Sequence, residues 1–95
     1  MEGALRVDEN IDTYASALVS AIAGRRTEDA GPALRQMLRY SEMSETLERE
    51  VESFKAFMMI VNRLTPQQVE GAVIRLAKAA KKAGPNDEAR AMLLD

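Results

Sequence analysis

The chain reads as an all-α protein, a small antiparallel helical bundle of four to five helices. Two observations predict this. Residues with high helix propensity dominate the composition, while strand-favouring aromatics are scarce, with two Tyr, two Phe and no Trp. Apolar residues also recur at spacings of three and four along most of the 95 residues. A chain of this length makes one domain, 1–95, with a thin core. Hydrophobic residues at 46% and charged residues at 29% supply enough apolar surface for that domain to fold.

The elements follow in order. Residues 1–7 show no clear period and are expected to be flexible. The first helix is expected over about 8–23. Asp8, Glu9 and Asp12 favour its start, and Ile11, Tyr14, Ala15, Leu18 and Ile22 share one face. Gly24 suits its stop, with Arg25 and Arg26 placed to meet the last carbonyls. Pro32 suits the first position of a short second helix, about 32–40, carrying Leu34, Met37 and Leu38.

A long third helix is predicted over about 42–63. Its seam is Leu47, Val51, Phe54, Met58 and Val61. The apolar face of the second helix lies roughly 130° from that seam, so one straight helix could not bury both, and a break is placed at Ser41 to Ser44. Thr65-Pro66-Gln67-Gln68 is the sharpest local signal, a capping box with Pro at the first helical position. It opens a helix over about 66–83, closed by Gly84-Pro85. Asn86 caps a last short helix, about 86–94.

Chemistry finds little footing in these residues. No His is present for proton transfer near neutral pH, and no Cys for thiol catalysis or soft metals. No phosphate-cradling glycine loop occurs. Glu42, Glu45, Glu48 and Glu52 read as a solvated face with Arg49 and Lys55 at pairing distance. The expectation is therefore a protein that is not an enzyme, with no cofactor, no metal and no catalytic residue. A carboxylate-dependent enzyme or enzyme subunit is the remote alternative.

Two surfaces are candidates for binding. The third helix would be about 33 Å long. With Phe57, Met58, Ile60 and Val61 added to Leu47, Val51 and Phe54, its apolar arc reaches roughly half the circumference, wider than a surface helix needs. That width predicts pairing with a second copy, a homodimer, or docking of another protein. The fourth helix carries Arg75, Lys78 and Lys82 within about 60° of one another, with Lys81 beside them. Such a ridge could meet an acidic protein or nucleic acid, although cations in the last turns of a helix are also expected from its dipole. Met59 and Ile74 stand apart as apolar residues on polar sides.

Net charge is −2, which gives no global attraction to nucleic acid or anionic membrane. The longest apolar run, Phe57 to Val61, is far shorter than the roughly 20 residues that span a bilayer. The start, Met1-Glu2-Gly3-Ala4-Leu5-Arg6, lacks the basic and apolar regions of a signal peptide. A cytoplasmic location is expected, consistent with the lack of Cys. The function these features predict is a protein–protein interaction module: a small adaptor, inhibitor or regulatory subunit, with a nucleic-acid-associated regulator as the alternative.

Overall fold

In a computed structural model, the backbone is described for residues 2–93 and the side-chain surroundings for 6–92. The protein is all-α. Among the described residues the order is α1 (Glu2–Ala23), α2 (Thr27–Arg39), α3 (Glu45–Met58), a 3-10 turn (Val61–Arg63), α4 (Pro66–Ala83) and α5 (Asp87–Leu93). The expected end of the last helix, at residue 94, lies outside the described residues.

α1 begins at Glu2 rather than near Asp8, so 2–7 is not the irregular segment expected. Val7 is buried, one turn ahead of Ile11, and extends the apolar stripe of Ile11, Ala15, Leu18 and Ile22.

α2 also starts early, at Thr27, which leaves Pro32 inside the helix rather than at its first position. Thr27-Glu28-Asp29 supplies a first turn suited to the helix dipole. Pro32 removes the amide that would have bonded the Glu28 carbonyl, but both residues are exposed, so water can take that carbonyl.

The break between α2 and α3 is real, and Ser44 ends it by accepting the Leu47 N–H at 3.1 Å on its hydroxyl. α3 is the main departure. It is a helix of 14 residues, about 21 Å long, not one reaching residue 63. At its end the Met59 N–H bonds the Ala56 carbonyl at 3.1 Å, and the Ile60 N–H bonds that of Phe57 at 3.1 Å. These three-residue closures tighten the chain and lead into the 3-10 turn. There Val61 and Leu64 turn inward, while Met59 and Ile60 stay outside. α4 has the bounds its capping signals predict: Thr65 Oγ1 accepts from the Gln68 N–H at 3.2 Å, and Gln68 Oε1 accepts from the Thr65 N–H at 2.8 Å.

α1 packs against both α2 and α4, and α3 packs against α4. α1 and α4 thus form the middle of a body measuring 43 × 25 × 20 Å, with α2 and α3 on its flanks. Ile11, Leu18, Met37, Leu47, Val73 and Leu76 are the large side chains wholly withdrawn from solvent.

One end is fastened by polar contacts between two loops. The Glu42 N–H bonds the Gly84 carbonyl at 2.8 Å and the Asn86 N–H bonds that of Tyr40 at 2.9 Å, flanking an isolated bridge between Ser41 and Pro85. Asn86 Nδ2 donates to the Arg39 carbonyl and, at 3.4 Å, to that of Ser41. Asn86 Oδ1 accepts the Ala89 N–H at 3.0 Å and so caps α5. Gly84, at φ 86°, makes this turn possible in a conformation other residues rarely adopt. Arg39 and Glu88 close the outside of the clasp at 2.6 Å. The hydrogen bond that Arg39 donates to the Glu88 carboxylate, reinforced by the carboxylate's charge, raises the Arg39 pKa above the usual arginine value.

Candidate protein-docking surface

The residues expected to form one apolar flank divide into two groups. Leu47, Val51 and Phe54 are 0%, 8% and 4% exposed, covered within a single chain by α4 and the rest of the core. They are core residues, not an interface, which corrects the expectation for those three. The reason is that α3 stops at Met58, so the arc never becomes one broad wall. The geometric ground for a second copy on that wall disappears with it.

The second group lies at and beyond the end of α3. Phe57, Met58 and Val61 are half-buried. Ile60 is 48% exposed and Met59 87%, the most exposed large apolar side chain described. An isolated exposed Met is ordinary, but here it adjoins Ile60 on a turn that holds both outward.

The basic residues of α4 do not act as one face. Arg75 Nε lies 2.8 Å from Glu50 Oε2 on α3, and Lys81 Nζ lies 2.6 Å from Asp12 Oδ1 on α1. They lean to opposite flanks and are neutralised there. Lys78 and Lys82 are exposed and enter no ion pair among the described residues. Two Lys one turn apart make a weaker field than a four-cation ridge. Ile74, 53% exposed, shares their outer side of α4. The expected pairs Glu45–Arg49 and Glu52–Lys55 are present at 3.4 and 3.7 Å, on exposed side chains where such pairs contribute little. Among the described residues no group of three or more carboxylates is gathered for a metal, and no helix is long and apolar enough to cross a membrane.

The turn between α1 and α2 stands beside the end of α3, and sequence reasoning missed its role. α1 ends at Ala23, so Gly24 stands at its stop as expected, but Gly24 is not the left-handed residue. The left-handed residue is Arg25, at φ 58°. Its N–H bonds the Ile22 carbonyl at 3.1 Å and the Arg26 N–H bonds that of Ala21 at 2.8 Å, the two closures of a Schellman motif. From there Arg25 Nη1 reaches Asn62 Oδ1 at 3.4 Å. Between these groups lies a crevice of about 240 Å³, with Val19, Ile22, Val61, Leu64 and Val69 among its apolar walls. The sequence signal for this site was the Gly-Arg-Arg triplet, in which either of two residues could take the left-handed position.

The chain matches no protein-family model, no curated protein and no solved structure. Its function is therefore read from its own residues.

Proposed function

We propose that the chain is a non-enzymatic protein–protein interaction module, a small adaptor, inhibitor or regulatory subunit, that docks a partner through the end of α3. The observation that carries this reading is the outward pair Met59 and Ile60 on a turn, beside half-buried Phe57 and Val61. Burying exposed apolar side chains is the usual source of affinity in protein docking, and Met adapts readily to a partner's shape. We read the helices as an antiparallel bundle, which the short connections between them favour. A cytoplasmic setting belongs to the same reading and is supported by the cysteine-free composition.

The partner is read as a different protein. The wide apolar wall that favoured a second copy is covered within one chain, with Leu47, Val51 and Phe54 buried. The nucleic-acid alternative draws less support, since Arg75 and Lys81 are already engaged by Glu50 and Asp12.

A photo-crosslinking residue at position 59, compared with one at exposed Arg35 on α2, tests the docking reading in the source cells. The expected result is one dominant protein adduct from position 59, absent at 35 and lost when Ile60→Asp is added. Equal adducts from both positions, or indifference to Ile60→Asp, would refute it.

A further inference from the structure

Resting on that reading, we infer the chemistry of the partner: an acidic, amphipathic protein segment that sets a carboxylate against Arg25 and an apolar side chain into the crevice between α1 and α4.

Three features converge on this. Arg25 occupies a left-handed conformation that few non-glycine residues adopt and that Gly would hold with less strain. Strained residues of this kind are maintained by surrounding structure and concentrate at binding sites. What Arg adds at this position is a guanidinium, held over the crevice by a long 3.4 Å contact to the neutral Asn62 amide. A carboxylate is a stronger acceptor for a guanidinium than an amide and can take two of its N–H groups at once.

Charge is the second feature. Neither Arg25 nor Arg63 enters an ion pair among the described residues, whereas Arg26 beside them is held by Asp29 at 3.3 Å. Glu70 lines the α4 side of the same crevice and Glu28 lies in the first turn of α2, so an acidic group is welcome only on the Arg25 side.

The third feature is shape. At about 240 Å³ the crevice falls below the roughly 300–1,000 Å³ of small-molecule sites, which suits a side chain. Exposed Ile60 and Met59 directly precede Val61, which lines the crevice. An anionic lipid surface or a nucleic acid would call for an extended field of cations, and two Arg interrupted by two Glu do not supply one.

The test uses the whole chain, isotopically labelled for NMR, and a synthetic helical peptide with Leu at i, i+3, i+4 and i+7 and Glu on its rims. A control peptide carries Lys in place of every Glu. The Glu peptide is expected to shift the amides of Arg25 and of Met59 to Arg63, with affinity falling at higher salt. The Lys peptide should bind at least tenfold more weakly. Arg25→Gly relieves the backbone strain, so it should raise Tm while weakening the Glu peptide at least tenfold. Arg25→Gln keeps the backbone strain but removes the guanidinium, and should weaken it similarly.

Equal affinity for both peptides, undiminished binding by Arg25→Gly and Arg25→Gln, or shifts centred on Ile74 would overturn the inference. So would binding to vesicles of phosphatidylserine in phosphatidylcholine without binding to the Glu peptide. If the peptide fails while the position-59 crosslink still captures its protein, the acidic chemistry falls and the docking reading stands. If both fail, both fall.

Discussion

Asn86 offers a direct measure of how the two loops hold the molecule together. Its side chain does two jobs: Oδ1 caps α5 through the Ala89 N–H at 3.0 Å, and Nδ2 donates to the carbonyls of Arg39 and Ser41 across the clasp. Losing a helix cap costs about 1 kcal/mol. Losing donors to carbonyls that otherwise end α2 costs about 1–2 kcal/mol for the two together. Asn86→Ala should therefore destabilise the fold by about 2–3 kcal/mol. In a domain of this size each kcal/mol lowers Tm by about 4–8 °C. Asn86→Ser separates the two jobs, because Ser caps helices about as well as Asn but is too short to span the clasp. It should still lose about 1–2 kcal/mol. Urea unfolding of both variants followed by circular dichroism measures the difference. If Asn86→Ser unfolds within 0.5 kcal/mol of the natural chain, capping alone explains Asn86 and the clasp contributes nothing.

Other substitutions check the remaining assignments. Leu47→Ala should lose about 2–5 kcal/mol, as expected of a wholly buried side chain, while Met59→Ser should stay within about 0.5 kcal/mol; comparable losses would contradict the placement of core and surface. Ser41→Ala should gain about 1 kcal/mol, since the Ser41 hydroxyl is buried and finds no hydrogen-bond partner among the described residues; a loss in thermal melting would show that the hydroxyl is engaged. Arg25→Gly should gain about 1 kcal/mol by relieving the left-handed backbone, read as a higher urea midpoint with an unchanged slope.

What the sequence disclosed depended on whether a signal was local. The capping box of Thr65 and Gln68, the stop at Gly84 and the cap at Asn86 are set by neighbouring residues, and their elements stand where the residues point. The start of α1 was less visible, although Val7 and Ile11 carry the right spacing, because Glu2 to Arg6 adds no start signal of its own. Pro32 misdirected the start of α2. Proline is favoured at a first helical position, but an exposed interior position tolerates it when the orphaned carbonyl faces solvent. The length of α3 was misjudged for a different reason. A run of five apolar residues, Phe57 to Val61, goes right round a helix, and that is itself a warning that the helix cannot continue with all of them covered. Reading the run as a wider face placed Leu47, Val51 and Phe54 on a surface they do not reach. The crevice beside Arg25 could not be read at all, since it needs the last turns of α1, the first turns of α4 and the 3-10 turn to be neighbours.

α3 makes its substantial helix contact with α4 alone, while α1 and α4 are each shared with other helices. Lifting α3 away would uncover Leu47, Val51 and Phe54 yet leave the α1–α2 and α1–α4 pairings whole. The cover of that part of the core thus rests on a single helix–helix seam, and a substitution that weakens the α3–α4 contact acts on the interior without touching the other pairings.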